Sequence, residues 1–321
     1  MAQYTVLEPA EIAGLAYRFG LPTPDQVTPE PKGRVNTSYH LRVGGDRWFL
    51  RVVEGKGQAE LAFELEVLRY LFSAQFPVPR LVQTIDGQPA ASVRGKPVLL
   101  FTYATGEAIH RAEAGPDRCR RIGEQLGRLH ELSAGFTEDR ENPTGPARVA
   151  AWLDPIERAG LADPEVKAAL PMLRQEVEAA GRLPGAPRGL CHGDLFIDNV
   201  HWVGDRVSYL LDWEMACVEP FAWDLAVTLD AWCFTERYEP ARIQGLLQGY
   251  RSRRKLDADT LAALPAFARF AATRFAVSRL FGTLGPQLPG DRMERRDWRR
   301  YRDRLLAQRA LGLDGFRALL A

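Results

Sequence analysis

The chain is short of cysteine, of net charge and of long apolar runs, and each shortage excludes a class of protein. Its four cysteines, Cys119, Cys191, Cys217 and Cys233, are scattered through 321 residues without paired spacing. Neither a disulfide scaffold nor a structural zinc cluster is encoded, and the four read as buried thiols of a reducing compartment. Lysine plus arginine number 42 against 41 aspartates plus glutamates, which leaves no bulk field to draw in nucleic acid or an anionic membrane. No apolar run approaches the roughly 20 residues that a membrane span needs. The first residues, Met1-Ala2-Gln3-Tyr4-Thr5, lack the charged-then-apolar pattern of a secretory signal. His110 and His130 lie far apart with no ligand spacing, and neither a P-loop nor a Gly-x-Ser-x-Gly pattern occurs. These absences predict a soluble cytoplasmic protein with no nucleic-acid or membrane partner; they leave monomer and homodimer both open.

What is present is the ordinary make-up of a globular protein, 46% hydrophobic and 26% charged, in a length that suits one large domain or two lobes. The first hundred residues alternate in the manner of strands. Ser38–Val43 and Arg47–Val53 flank a turn at Gly44-Gly45-Asp46. A helix pattern runs from about Gln58 to Phe72 with Leu61, Leu65, Leu68 and Leu71 on one face. Arg80–Thr84 and Ala90–Val93 read as short strands, and the apolar run from Pro97 to Tyr103 reads as a last strand feeding a connector. Beyond it the pattern turns helical, at Pro116–Leu132, at Pro164–Arg182, and after Asp224 in helices broken at Pro240, Asp257, Pro286 and Pro289. The reading is an α+β protein. Residues 1–102 form a small β-rich lobe and 103–321 a larger, mainly helical one.

The densest chemistry lies in Leu190-Cys191-His192-Gly193-Asp194-Leu195-Phe196-Ile197-Asp198-Asn199, followed by Leu210-Leu211-Asp212-Trp213-Glu214. An Asp, an amide five residues on, and a second Asp thirteen residues later each close an apolar run. Phosphoryl transfer from a nucleotide needs such a set: one carboxylate for the acceptor hydroxyl, and an amide and a carboxylate for Mg²⁺. Asp194 is the candidate base, and Asn199 and Asp212 are hard oxygen ligands suited to Mg²⁺. Each residue alone could be a turn former or a helix cap; the ordered set points to a kinase. His192 is expected to hold the loop through a backbone hydrogen bond, and Asp224 to anchor it.

These residues, with Val35-Asn36-Thr37-Ser38-Tyr39, Ile122 to His130, Asp224 to Phe234, Arg274-Phe275 and Arg279-Leu280, resemble the aminoglycoside phosphotransferase and choline kinase superfamily. Within it they most resemble the bacterial homoserine kinases built on that fold. The resemblance implies a protein-kinase-like two-lobe fold, ATP and Mg²⁺ as cofactors, and a small-molecule hydroxyl, L-homoserine, as acceptor. It implies Asp194 as the catalytic base and Asn199 and Asp212 as metal ligands. It places Arg51 on the third strand against the nucleotide phosphates, paired with Glu64; Arg stands where the best-studied kinases carry Lys, and its planar fork still grips phosphate oxygens. Gly33, Asn36, Thr37 and Ser38 would form the loop over the phosphates, and Phe101 to Tyr103 the connector beside adenine. An amino-acid substrate needs an anion near its ammonium, for which Glu214 and Asp230 are candidates, and a cation near its carboxylate, for which Arg274 and Arg279 are.

Three departures from the homoserine kinases stand out. Trp213-Glu214-Met215 replaces their aromatic-rich tail, Asp230 stands where they commonly carry Asn, and Gly282 stands where an Asp often follows the Arg-Leu-aromatic run. An aminoglycoside, choline-type or protein-side-chain kinase of the same fold therefore stays open, as does a nucleotide-binding scaffold without turnover. The Arg-rich run from Arg292 to Arg309 carries Trp298 and Tyr301, but acids interleave at helical spacing, so it is expected to be a solvated helix rather than a nucleic-acid patch.

Overall fold

In the computed structural model residues 5–30, 36–160, 163–284 and 297–320 are described, and the chain divides into two compact units between Thr105 and Gly106. The first unit contains α1 (Pro9–Arg18), β1 (Gln26–Pro29), β2 (Thr37–Val43), β3 (Asp46–Val52), α2 (Gln58–Ser73), β4 (Leu81–Val82), β5 (Ala91–Val93) and β6 (Lys96–Thr102). Its strands form one antiparallel sheet in the order β1-β2-β3-β6-β4, with β5 also on β6. The β2–β3 hairpin closes on Gly44 and Gly45, both at positive φ (56° and 101°), the geometry that lets a two-residue turn follow the strand twist. Alternation then decides the core. Tyr39 and Leu41, Leu50 and Val52, and Val98 and Leu100 point to one face, where Ile12, Leu15 and Phe19 of α1 and its C-cap meet them.

The pattern reading had no helix over residues 9–18. α1 is only ten residues long; it buries Ile12, Leu15 and Ala16 along one face, with Phe19 just beyond, and its start is fixed by Pro9 at the first position and Glu11 accepting the Glu8 amide at 2.8 Å. α2 appears where its spacing predicts it and buries Leu61, Val67, Leu68 and Leu71 together with an acid, Glu64.

The second unit contains α3 (Pro116–Leu132), α4 (Pro146–Gly160), α5 (Pro164–Ala180), β7 (Arg188–Cys191), β8 (Val200–Val203), β9 (Arg206–Leu210), β10 (Cys217–Pro220), α6 (Phe221–Trp232), α7 (Pro240–Arg251), α8 (Ala258–Leu284) and α9 (Arg299–Leu320). β7 pairs antiparallel with β10, and β8 with β9. Every residue of α6 is buried, as befits a helix apolar on all sides. α3 and α7 cross with backbones in contact: a Cβ at Gly249 would lie 1.8 Å from the Arg120 carbonyl oxygen, and one at Gly123 would lie 1.9 Å from that of Leu246. Only glycine fits this crossing.

α4 is a helix the sequence pattern hides, because Pro155 stands inside it and reads as a breaker. α9 also differs from the solvated helix expected. Tyr301, Arg304, Leu305 and Gln308 are buried along one face, so one of its arginines, Arg304, is taken into the core. Residues 292–296 of that run, with Pro286 and Pro289, lie outside the described residues. All four cysteines are free and buried. Among the described residues no helix is long and apolar enough to cross a membrane.

Candidate active site

The loop after β7 hangs on α6. The carboxylate of Asp224, with no exposed surface, accepts the His192 amide at 2.7 Å on Oδ2 and the Gly193 amide at 2.8 Å on Oδ1. One helical step beyond two turns, the Trp232 indole N–H donates to the Leu195 carbonyl at 3.0 Å. Gly193 takes φ +75°, and a Cβ there would lie 2.7 Å from the Met215 carbonyl oxygen, so the tight loop needs glycine. Asp224 is itself held by His130, whose Nε2 lies 3.3 Å from Oδ2 while its Nδ1 meets the Tyr250 hydroxyl at 2.9 Å. Burial works to raise the Asp224 carboxyl, and the His130 ring with the Gly193 amide outweighs it, leaving the group below its usual range. Burial pushes the His130 and His192 imidazoles down, so both are neutral and each can donate on one nitrogen and accept on the other. The ligand atoms of His130, Cys191 and Asp224 lie within 4.8 Å of one another. The imidazole and the carboxylate of that group are spent on these hydrogen bonds.

His192 ties the loop to the second hairpin, its Nε2 donating to the Leu211 carbonyl at 3.0 Å. The Leu211 amide in turn donates to the Asn199 carbonyl at 2.8 Å, which sets Asn199 beside the end of β9. The Asn199 side-chain amide donates to the Asp194 carbonyl at 2.8 Å. That bond uses the Asn199 nitrogen and leaves its Oδ1 to act as a ligand. Asp212 follows β9 in the left-handed region, φ 63° and ψ 66°, and is exposed. Such backbone costs on the order of 1–3 kcal/mol and clusters at functional sites. The structure thus joins Asp194, Asn199 and the residue before Asp212 in one hydrogen-bonded chain. An amide oxygen and a carboxylate, both hard oxygen donors, fit a divalent cation such as Mg²⁺.

Asp194 keeps 24% of its side-chain surface, with Arg274 Nη1 3.8 Å from its Oδ1. Burial raises its carboxyl above the usual range; Arg274 opposes this, while the charges of Glu214 and Asp198 add to it. Arg274 stacks over Phe275 at 4.0 Å, and Phe275 meets Phe196 of the loop edge-on. Arg279 donates to the Tyr301 hydroxyl at 2.8 Å. Glu214 is buried, and its carbonyl accepts from Arg140 at 3.0 Å. Asp230 is not brought into this group by its contacts. Its carboxylate is fully buried, with Oδ1 taken by the Tyr238 hydroxyl at 2.5 Å and Gln308 Nε2 at 3.1 Å, and Arg304 Nη1 lies 3.9 Å from Oδ2.

In the first unit Arg51 on β3 and Glu64 on α2 meet as the sequence pairs them, Nη2 to Oε1 at 2.5 Å. A third residue, not singled out by the pattern, joins them: Lys56 Nζ lies 2.5 Å from Glu64 Oε2. Its signal in the sequence was slight, one lysine between two glycines after the third strand. The Asn36 side chain accepts the Glu54 amide at 3.1 Å, and the Thr37 hydroxyl donates to the Glu54 carboxylate at 2.8 Å; with Ser38 they are buried at the start of β2. Gly33 lies outside the described residues. Phe101 is buried in β6, and the Tyr103 ring lies under the Arg47 guanidinium at 3.5 Å.

Residues 26–256 match the phosphotransferase enzyme family, APH. The homoserine kinase of Hyphomonas neptunium is 33% identical to this chain over 298 residues, spanning 87% of this chain and 88% of that protein. That of Brucella anthropi is 32% identical over 292 residues, spanning 88% and 87%. Among solved structures, amicoumacin kinase hAmiN in complex with AMP-PNP, Ca2+ and Ami covers 90% of both chains with a TM-score of 0.67 at 18% identity, a likeness of fold. Matched along most of its length by relatives and by the family pattern alike, the chain belongs to the APH phosphotransferase enzyme family.

Proposed function

We propose that the chain is a homoserine kinase, transferring the γ-phosphoryl group of ATP to the side-chain hydroxyl of L-homoserine to give O-phospho-L-homoserine and ADP, a step of threonine biosynthesis in the cytoplasm. The observation that carries the reading is the hydrogen-bonded chain from Asp194 through Asn199 to the residue before Asp212. Asp194 orients the acceptor hydroxyl. As its oxygen bonds to the γ-phosphorus and the bond to the departing ADP oxygen breaks, the proton passes to the Asp194 carboxylate. Asn199 and Asp212 would hold Mg²⁺, which supplies charge neutralisation on the phosphate oxygens. Arg51 grips the phosphates, Asn36, Thr37 and Ser38 present backbone to them, and the connector from Phe101 to Tyr103 offers backbone groups to adenine.

The acceptor follows from the relatives and from charge. Arg274 stands beside Asp194 and offers its guanidinium to a carboxylate, with Arg279 as a second cation; Glu214 offers the anion for an ammonium. A small amino acid with a hydroxyl matches that pair of needs. A coupled ADP-release assay across homoserine, threonine, choline and aminoglycosides tests it, with turnover expected on homoserine. Turnover on another alcohol and none on homoserine would overturn the acceptor and keep the phosphotransferase. Asp194→Asn is expected to lower kcat by roughly 10²–10⁴-fold while ATP binding, read by calorimetry, stays within about a factor of two. Turnover near that of the unmodified protein would remove Asp194 from its role.

A further inference from the structure

We infer that Lys56 is a second phosphate-binding cation, acting with Arg51 on the polyphosphate of a bound nucleoside triphosphate; the inference deepens the kinase reading and rests on it. Glu64 divides its carboxylate between two cations, Oε1 to Arg51 Nη2 and Oε2 to Lys56 Nζ, each at 2.5 Å. All three side chains are largely withdrawn from water, at 1% exposure for Glu64, 12% for Arg51 and 11% for Lys56. Within this triad two positive charges share one negative charge. Two cations drawn to the same acid also repel each other, and each has given up hydration to be there. Because both cations converge on one carboxylate, a polyphosphate gripped by Arg51 lies within reach of Lys56 and offers both of them acceptor oxygens. The neighbouring acid, Glu54, is engaged by Lys96 and by Thr37.

The two cations are mounted differently. Arg51 is fixed in β3, across from Ser38 on one side and Leu99 on the other. Lys56 stands in the turn between β3 and α2, flanked by Gly55 and Gly57, both exposed, and a Cβ at Gly55 would meet nothing within 4 Å. An ammonium on a flexible stem in an open turn can exchange a carboxylate oxygen for a phosphate oxygen without moving strand or helix. Arg51 supplies the planar fork and Lys56 the movable point charge, which together do the work of one third-strand lysine. Burial works to raise the Glu64 carboxyl, and the two cations reverse it to about 2, so Glu64 stays charged and keeps both in place until the nucleotide arrives.

Calorimetric titration of the full-length protein with ATP and with adenosine separates phosphate contacts from base contacts. Lys56→Met is expected to weaken ATP binding by about tenfold or more and to leave adenosine binding within about twofold. Lys56→Arg is expected to restore most of the ATP affinity. ATP binding by Lys56→Met equal to that of the unmodified protein would overturn the inference and make Lys56 only a counter-ion of Glu64. A measurement free of substitutions runs beside it: ATP, and not adenosine, should shield Lys56 from an amine-acetylating reagent, read by peptide mass spectrometry. Equal acetylation with the two ligands overturns the inference as well. If the unmodified protein bound no ATP, the kinase reading would fall first and this one with it, an outcome distinct from either of these.

Discussion

Glu64 and Asp230 are both carboxylates taken almost wholly out of water, one in each unit, and they end on opposite sides of the ordinary carboxylate range. For Glu64 burial pushes upward, yet the contacts with Arg51 and Lys56 bring it to about 2. For Asp230 burial pushes upward too, and Arg304 with the donors Tyr238 and Gln308 only partly offsets it, leaving about 6. The number of hydrogen bonds does not decide the outcome, since each acid accepts two. What differs is the charge of the donors and their reach. Both partners of Glu64 are cations in contact, whereas the partners of Asp230 in contact are neutral and its one cation stands off at 3.9 Å. Hydrogen bonds from charged donors are about twice as strong as neutral ones. Among the described residues Asp230 Oδ2, two Arg304 nitrogens and Gln308 Oε1 also find no hydrogen-bond partner, so the polar cluster between α6 and α9 is only partly satisfied there.

The largest test of this contrast is Glu64→Ala. It leaves Arg51 and Lys56 facing one another in a site built around an anion, and removing one partner of a buried ion pair costs about 3–5 kcal/mol. Denaturant unfolding of the protein at neutral pH should show that loss. A cost below about 1 kcal/mol would mean that the two cations are not held by Glu64 as the geometry indicates. The acid dependence has a definite sign. The Glu64 carboxyl, lowered from 4.5 to about 2, contributes stability that is present above pH 4.5 and is lost as pH falls toward 2.

Asp230→Asn should do the reverse and stabilise the protein. The folded protein holds this proton up to about pH 6 while the unfolded chain releases it near 3.8. Keeping the group ionised therefore costs stability, in full above pH 6 and not at all below pH 4. The size is on the order of 3 kcal/mol at neutral pH, and Asn resembles the protonated acid. Thermal unfolding at pH 7.5 should place Asp230→Asn above the unmodified protein, with the difference shrinking between pH 6 and pH 4. A variant less stable at pH 7.5 would show that the distant Arg304 charge outweighs burial.

The contrast was half visible in the sequence. Arg51 and Glu64 could be paired because a strand of alternating residues and a helix with a clear apolar stripe fix their positions locally. The approach of Asn199 to the residue before Asp212 follows the same local logic, since the β8–β9 hairpin sets the two at its open end. Lys56 escaped because it is specified only by the turn that carries it. Tyr238, Arg304 and Gln308 escaped because they reach Asp230 across as many as 78 residues of chain, and an arginine-rich helix looks solvated until the face it buries is known. α4 was missed where an interior proline interrupts the pattern, whereas the spacing of Ile12, Leu15 and Phe19 in α1 was there to be read.

The finest test lies in the neutral donors. The hydroxyl of Tyr238 serves the charged form of Asp230, and Tyr238→Phe removes it while keeping the ring that packs edge-on against Phe234 and Phe316. A hydrogen bond to a charged group contributes about 1.5–3 kcal/mol and one to a neutral group about 1. The substitution should therefore cost more at pH 7.5, where Asp230 is ionised, than at pH 4.5, where it carries its proton. In an Asp230→Asn background the cost should fall to the neutral value at both pH values, because no charge remains for the hydroxyl to meet. An undiminished cost in that double variant, read by thermal unfolding, would mean that Tyr238 acts through Gln308 and the packing of its ring. Burial of the raised acid would then be offset by Arg304 and Gln308 without Tyr238.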